Sequence, residues 1–189
     1  IVPALAQHRG LLAWDIKNEA DRDDKANGVA LNHAWLRHVA NEIRSLDPNH
    51  LLTIGWSTPE AAAALTDVVD FVSYHDYGAP ASYPQRLATL QSAAGGKPLV
   101  LSEFGRSTWK WLLPKSWLEG EQADYVAAMM AAQTQAETAG ELIWTLYDFT
   151  TVPLPEYRFP WQKAVQAHMG ILDSAGVPKP AANYFAAVP

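Results

Sequence analysis

Two glutamates, Glu19 and Glu103, close two apolar stretches of the sequence and could act together as an acid and a nucleophile. Residues 11–16 are mostly apolar and lead to Glu19, and residues 98–102 lead directly to Glu103. In a parallel β/α barrel the carboxyl ends of the strands share one rim, and that rim carries the active site. We therefore expect the two carboxylates to face each other about 5 Å apart, where they could cleave a glycosidic bond.

Each glutamate also has a purely structural interpretation. Glu19 could cap a helix or pair with Lys17 or Arg22. Glu103 could pair with Arg106. The structural interpretation is weaker for Glu103, because a charge that ends so apolar a strand needs a polar rim around it.

Polar residues close to the glutamates extend the same chemistry. Asn18 could hydrogen-bond the 2-hydroxyl of a sugar, a contact that strengthens as charge develops on the ring. His75 could bind substrate hydroxyls, and a tyrosine hydroxyl from residues 74–77 could bond Glu103 and keep its pKa low. A single histidine at a strand end is more often structural. Because no other spaced ligands accompany His75 and Asp76, we expect no metal site.

Eight tryptophans are many for a chain of 189 residues. Their ordinary role is to fill a core, but in a sugar site their flat rings stack against the apolar faces of the sugar. Trp109, Trp111 and Trp117 crowd the segment after Glu103, which favours stacking there. We also count Trp56, at the end of an apolar segment, among the candidate sugar-binding residues.

The last apolar segment ends in two further candidates. Trp144 lies inside this predicted strand and could form the floor under the reacting sugar, although a core position explains it nearly as well. Asp148 follows the segment and could contact the substrate or cap the following turn.

Apolar segments alternate with helical ones, which indicates β-α-β units and a parallel sheet. The predicted strands are residues 10–16, 51–56, 68–75, 98–103 and 142–147. The predicted helices are residues 27–46, with its apolar face at Leu31, Trp35, Val39, Ile43 and Leu46, then 58–65, 83–93, 121–138 and 180–187. Residues 148–168 are predicted to be mostly loop and 169–176 a hairpin or turn. The prediction is one α/β domain, residues 1–189, of the TIM-type (β/α)-barrel class but with five of the eight strands.

The bulk composition narrows the class of partner. The chain is 49% hydrophobic and 18% charged, as a globular domain is, and its net charge of −6 argues against a nucleic-acid partner. No apolar stretch approaches the length of a membrane span, and the absence of cysteine excludes disulfides and thiolate metal sites. The mixed-sign run at residues 21–25 is predicted to be a solvated loop.

Together these motifs resemble those of the retaining β-glycosidases of glycoside hydrolase clan A, most closely family 5 of the cellulase and mannanase type. The matching pieces are Trp14-Asp15-x-x-Asn18-Glu19, His75-x-Tyr77, Leu101-Ser102-Glu103-Phe104-Gly105, Trp144 with Tyr147-Asp148, and the tail from Met169 to Pro180. By this resemblance Glu19 is the acid/base, Glu103 is the nucleophile and Tyr77 is its hydrogen-bond partner. Asn18, His75 and Trp144 would bind the sugar ring, and no cofactor is implied.

The resemblance covers only strands four to eight of the family's barrel. The first three strands, with an arginine near the nucleophile and a histidine lining the sugar site, have no counterpart in this sequence. A partial barrel has two open sheet edges, and open edges invite pairing. We expect the edges near Leu11 and Tyr147 to be covered by the proline-rich segment after Asp148, by the termini or by a second copy of the chain.

Three functions are therefore open at this point. The first is a retaining hydrolase of β-glucan or β-mannan, the second is a catalytically inactive partial barrel that binds carbohydrate, and the third is one piece of a barrel that a second chain completes. Other β/α enzymes also carry glutamates at strand ends. A polysaccharide substrate would favour a secreted or periplasmic location. The sugar, its linkage and endo or exo action are left open.

Overall fold

A computed structural model of the chain describes residues 1–113, 115–152, 157 and 159–185, which form a mixed α/β structure with parallel sheets. The strands are β1 Ala13–Asp15, β2 Leu51–Thr53, β3 Gly55–Trp56, β4 Val72–His75, β5 Leu99–Phe104 and β6 Gly140–Ile143. The helices are α1 Val2–Leu5, α2 Asp24–Asn27, α3 Val29–Leu46, α4 Tyr83–Ala93, α5 Lys115–Gln135 and α6 Pro160–Ala167. Short 3₁₀ helices span Ala20–Asp23, Ala61–Ala63, Pro80–Ser82 and Pro180–Tyr184.

The strands pair in chain order and all run parallel. β1 pairs with β2, and β3, β4, β5 and β6 follow one another in a four-stranded sheet. Only Ile54 separates β2 from β3, and the chain beyond β1 follows both: Ile16 donates to the Thr53 carbonyl and Gly55 donates to the Lys17 carbonyl, each at 3.1 Å. The predicted parallel order is confirmed, and the incomplete barrel stays a prediction that this order fits.

The core lies between the central strands and the helices that cover them. Tyr74 of β4 and Leu101 of β5 are completely buried, and Met129 of α5 packs in the same cluster. All four residues of β4 are buried, although two of them are polar, and three of the six residues of β5 are buried. The centre of the sheet is thus well buried, and Glu103 lies one residue before the end of β5.

Three strand predictions need correction, the first being that β4 begins at Val72 rather than at residue 68. β1 is three residues long rather than seven, because Leu12 is 75% exposed and the segment lies at the edge of the sheet. β6 begins and ends earlier than predicted, so Trp144 lies just beyond the strand rather than inside it. Trp144 still donates its backbone N–H to the Phe104 carbonyl at 2.8 Å, which continues the ladder by one bond.

Helix α3 buries a different face from the predicted one. The buried residues are Asn32, Leu36 and Ala40, whereas Leu31 and Trp35 of the predicted apolar face are exposed. The buried stripe is one position along the helix because Asn32 donates to the Ala20 carbonyl at 2.8 Å and so fixes the rotation of the helix. Helix periodicity shows that an apolar face exists, but not which of two adjacent stripes meets the core.

Three other predictions are wrong in their details. The run at residues 21–25 is helical rather than a loop, since it lies within the 3₁₀ helix Ala20–Asp23 and α2. The region 148–168 contains α6. Asn27 belongs to α2, and Gly28 precedes α3. The predicted hairpin at 169–176 is confirmed by the hydrogen bond from Asp173 to the Val177 carbonyl at 2.9 Å. Residues 186 and 187 of the last predicted helix lie outside the described residues.

The two outer edges of the sheet differ. In the described ranges no strand pairs with the outer side of β1 or of β6. The chain beyond β6 is paired, since Leu172 donates to the Leu146 carbonyl at 2.8 Å and Asp148 donates to the Leu172 carbonyl at 2.9 Å. The hairpin at 169–176 thus protects the continuation of β6, and covering of the remaining edges by a second copy stays a prediction. Of the proline-rich segment, residues 153–156 and 158 lie outside the described chain.

No helix of the described chain combines the length and the apolar character that crossing a bilayer demands.

Candidate active site

Glu103 lies in β5, the longest strand, at its carboxyl end. Leu101 and Phe104 of the same strand are completely buried, while the side chain of Glu103 is 19% exposed. The neighbouring strand β4 places His75 opposite Glu103 in the ladder, and Asp76 donates its N–H to the Glu103 carbonyl at 3.0 Å. Because adjacent parallel strands end at the same edge, the residues that follow β4 surround the Glu103 carboxylate.

Two side chains from the end of β4 bind that carboxylate. The Tyr77 hydroxyl donates to Oε2 of Glu103 at 2.8 Å, and Nδ1 of His75 lies 3.3 Å from the same oxygen. Burial raises the pKa of Glu103 above its ordinary value, whereas the charge of His75 and the Tyr77 hydrogen bond lower it. Burial and the charge of Glu103 raise the pKa of Tyr77 well above its usual range, so its hydroxyl stays protonated and remains a donor.

Glu19 is held in a different way, by its side chain rather than by a strand. It follows β1 by four residues and has a left-handed backbone, with φ of 48°. Its side chain is 13% exposed and contacts Nδ1 of His75 at 3.2 Å and Nε of Arg22 at 2.6 Å. The structural interpretation that pairs Glu19 with Arg22 is therefore observed, although the same carboxylate also faces the site.

The other two structural pairings are not observed. Lys17 forms its ion pair with Asp23 at 3.1 Å instead of with Glu19. Arg106 pairs with Glu121 at 2.6 Å, so the interpretation that pairs it with Glu103 is wrong. The carboxylate of Glu103 is left to Tyr77 and His75.

The two carboxylates and one histidine come together in a single cluster. One oxygen of Glu19, one oxygen of Glu103 and a ring nitrogen of His75 all lie within 4.8 Å of one another. Carboxylates of retaining glycosidases lie about 5–5.5 Å apart, and those of inverting enzymes about 6.5–9.5 Å apart. Three such groups could also coordinate a cation. The expectation that the site holds no metal stays a prediction.

Three of the remaining candidate residues are exposed or half-buried. Asn18 is exposed beside Glu19. Trp144 is half-buried directly after β6, with its indole N–H 3.4 Å from Oε1 of Gln166. Trp109 packs edge-on against Trp111 beside a cavity of about 360 Å³ in the loop after β5. A role in substrate binding stays a prediction for each of them.

Three other candidates have little free surface. Trp56 and His75 are each 2% exposed. The ring of His75 has almost no surface open to a substrate, and it contacts the two glutamates instead. Asp148 accepts hydrogen bonds from Lys179 at 2.7 Å and from the Gly170 N–H at 2.9 Å. These contacts favour the alternative that Asp148 holds the following loop, and its contact with substrate stays a prediction.

Sequence reasoning missed Asp15 as a member of the site. Its carboxylate accepts the Gly55 N–H at 2.8 Å, burial raises its pKa, and the charge of His75 lowers that pKa. The signal was present, because Asp15 precedes Glu19 by four residues in the same motif. Nothing in the pattern, however, distinguishes a carboxylate that holds the sheet together from one that faces solvent.

The sequence comparisons point to one class of enzyme. No family model matches the chain. The putative mannan endo-1,4-β-mannosidase 5 of Oryza sativa subsp. japonica is 26% identical over 183 residues, which cover 72% of this chain and 36% of that protein. The mannan endo-1,4-β-mannosidase A of Podospora anserina is 26% identical over 146 residues, with 65% and 39% covered. The mannan endo-1,4-β-mannosidase 5 of Solanum lycopersicum is 30% identical over 132 residues, with 52% and 32% covered.

The structural comparisons find a fold like that of this chain in another group of glycosidases. A β-glucuronidase from an uncultured Clostridium sp. has a TM-score of 0.76 at 22% identity and covers 95% of this chain and 32% of its own. A GH2 β-galacturonidase from Eisenbergiella tayi has a TM-score of 0.74 at 22% identity, with 96% and 33% covered. This likeness supports the fold. The chain spans about a third of the length of the relatives it matches, and together the comparisons support a relation to glycoside hydrolases.

Proposed function

We propose that this chain carries the catalytic pair of a retaining β-glycoside hydrolase, with Glu103 as the nucleophile and Glu19 as the acid/base. The observation that carries the proposal is the separation of the two carboxylates, whose oxygens come within 4.8 Å. A short separation of this kind favours direct attack on the sugar by one carboxylate over attack by a water molecule held between the two. The sequence similarity to mannan-cleaving enzymes supports the same reaction class.

The reaction takes two steps. Oε2 or Oε1 of Glu103 attacks the anomeric carbon while Glu19 gives its proton to the departing glycosidic oxygen, so that a glycosyl ester forms and the aglycone leaves. Glu19, now ionised, then takes a proton from water, and that water attacks the anomeric carbon. The bond to Glu103 breaks, and the sugar is released with its original configuration.

The neighbours of Glu103 fit the nucleophilic role. A nucleophile must be ionised, and burial alone opposes ionisation. The Tyr77 hydroxyl at 2.8 Å and the ring of His75 at 3.3 Å both favour the charged carboxylate. We assign Tyr77 the role of holding Glu103 ionised and correctly turned toward the sugar.

For the substrate, we propose a β-linked mannan first and a β-glucan second. The named relatives act on mannan. We assign Asn18, exposed beside Glu19, to a ring hydroxyl, and the rings of Trp109 and Trp111 beside their cavity to stacking against further sugar units. Trp144 lies close enough to β5 to bond the Phe104 carbonyl and is the candidate for the floor of the site.

A second candidate is that this chain binds glycan, or completes its site, only together with a second chain. The observation in its favour is the exposed apolar surface at both sides of the sheet, at Leu12 on one side and at Leu142 and Leu146 on the other. Exposed apolar patches of this kind mark contact surfaces. A second copy or a complementary chain would cover them.

The test replaces each glutamate by glutamine and compares hydrolysis of soluble β-mannan, soluble β-glucan and aryl β-glycosides. Glu103→Gln and Glu19→Gln should each lower kcat/KM at least about 10²-fold. Glu42→Gln, on the exposed side of α3, is the matched control and should leave the rate unchanged. If both site variants keep the parent's turnover, the assignment of the pair is wrong.

Azide distinguishes the two roles. With an aryl β-glycoside, azide should restore turnover to Glu103→Ala and yield the α-glycosyl azide, because azide takes the place of the nucleophile. With Glu19→Ala it should yield the β-glycosyl azide, because azide then attacks the glycosyl ester. The opposite pattern would exchange the two assignments. Binding of mannan oligosaccharides without product, or activity that appears only in a dimer fraction, would favour the second candidate.

A further inference from the structure

Arg22 lies at the mouth of the site and has one partner among the described residues. It belongs to the 3₁₀ helix Ala20–Asp23, which follows Glu19 directly, and its Nε lies 2.6 Å from Oε2 of Glu19. The side chain is 66% exposed. Within the described chain, neither of its two terminal nitrogens has a hydrogen-bond partner. Arg22 can therefore leave Glu19 without breaking any other contact.

The charges around the pair make this arginine important. The acidic groups that face one another are Glu19 and Glu103, and Asp15 lies close enough for the charge of His75 to lower its pKa. The groups that oppose them are His75, the Tyr77 hydroxyl and Arg22, whereas Lys17 is occupied by Asp23. An arginine stays charged at every pH of interest, so Arg22 is the permanent cation that contacts the pair in the described chain.

The influence of Arg22 extends beyond its direct partner. Its charge lowers the pKa of Glu103, against the larger effect of burial, although Arg22 contacts only Glu19. A single cation thus acts on both carboxylates, because their oxygens come within 4.8 Å. In the enzymes that the sequence resembles, an arginine lies near the nucleophile on strands that have no counterpart in this sequence.

We propose that Arg22 is a positioning residue that holds the Glu19 carboxylate beside His75 and lends its positive charge to the carboxylate pair in the free protein, and that it must swing away before Glu19 can act as an acid. Only the requirement that Arg22 swing away rests on the proposed function. An acid needs a proton, and an arginine bonded to it favours the form without one. Since Arg22 is mostly exposed, opening this ion pair costs little.

The direction of the effect follows from the charge. Without the guanidinium, Glu103 keeps its proton to a higher pH, so the acidic limb of kcat/KM should move to higher pH. We expect Arg22→Gln to move this acidic limb upward by about 0.5 pH unit, as an exposed ion pair allows, while Arg22→Lys stays close to the parent.

The deciding experiment does not require activity. The side-chain carboxyl carbons of a ¹³C-glutamate-labelled chain are titrated by NMR, and the Glu103 and Glu19 signals are assigned by their loss in the respective glutamine variants. The titration of Glu103 should move to higher pH in Arg22→Gln and in Arg22→Met, which keeps part of the aliphatic stem. Arg37→Gln is the matched control, because Arg37 pairs with Asp67 on the surface, and it should leave the titration of Glu103 in place.

The outcomes separate this inference from the proposed function. If the Glu103 titration is the same in the parent and in both neutral variants, Arg22 does not act on the pair and the inference is overturned. If it moves as expected but no glycoside is cleaved, the electrostatic role of Arg22 stands and the proposed function fails. If the titration moves but Arg22→Gln strongly lowers kcat at every pH, Arg22 is needed in place and the requirement that it swing away is wrong.

Discussion

The two glutamates of the candidate pair lie in very different parts of the molecule. Glu103 is the last residue but one of a six-residue strand in the middle of the sheet, and Phe104 beside it is completely buried. Glu19 follows a three-residue strand at the sheet edge, in a left-handed backbone, and is held by an exposed arginine and a buried histidine. One carboxylate is therefore fixed by backbone and core packing, and the other by side-chain contacts.

The comparison indicates which of the two carboxylates is held rigidly and which can be repositioned. The position of Glu103 changes only if the central sheet changes, which affects the whole fold. The position of Glu19 depends on two polar contacts, from Arg22 and His75, and a substitution of the exposed Arg22 can remove one of them at small cost in stability. A residue that must first donate and then accept a proton gains from lying in the adjustable part.

The largest effect should come from the packing that fixes Glu103. Leu101→Ala removes a completely buried side chain from β5 and should lower the free energy of unfolding by about 2–5 kcal/mol. Leu12→Ala, at an exposed position beside the edge strand, is the control and should change it by less than about 0.5 kcal/mol. Urea unfolding followed by circular dichroism measures both. Equal losses would mean that edge and centre are packed alike.

The next effect concerns the hydrogen bond to Glu103. Tyr77→Phe removes a donor that favours the ionised carboxylate, so the pKa of Glu103, already raised by burial, should rise further. The acidic limb of kcat/KM should move to higher pH by up to about one unit. Tyr147→Phe, an exposed tyrosine beyond β6, should leave the profile unchanged. A profile that moves to lower pH in Tyr77→Phe would contradict the assignment of the donor.

The smallest effect tests the backbone at Glu19. Because a left-handed residue with a side chain is strained and glycine is not, Glu19→Gly should be more stable to urea than Glu19→Ala by about 1 kcal/mol. The order should reverse in β5, where Glu103→Gly should be less stable than Glu103→Ala, since glycine weakens a strand. The same order at both positions would remove the distinction drawn here.

The sequence was sufficient for the order and direction of the main elements, because long apolar runs and regular helix spacing report burial directly. It was least accurate at the edges. β1 is shorter than its apolar run, and α3 buries Leu36 rather than Trp35. In both places the final arrangement depends on which neighbours lie alongside, and an apolar residue looks the same in the sequence whether or not a neighbour covers it.

In the site, residues that directly end strands were easier to identify than residues that act through side-chain contacts. The meeting of Glu19, His75 and Glu103 follows from the shared rim of parallel strands. The bond from Tyr77 to Glu103 also agrees with its prediction. The choice of Arg22 over Lys17 as the partner of Glu19 depends on the turn taken by residues 20–23, and no periodic pattern encodes that turn.

The ion pair between Lys179 and Asp148 determines how much of the chain is needed to keep the edge of the sheet intact. Lys179 is buried, and besides Asp148 it reaches Thr108 in the loop after β5, at 3.0 Å. A chain shortened to end before Lys179 would leave the carboxylate of Asp148 enclosed without its cation, a loss of about 3–5 kcal/mol for pairs of this kind. The segment around Lys179 is thus a structural part of the edge that carries the candidate site, and trimming it for crystallisation or display would damage the face meant to be studied.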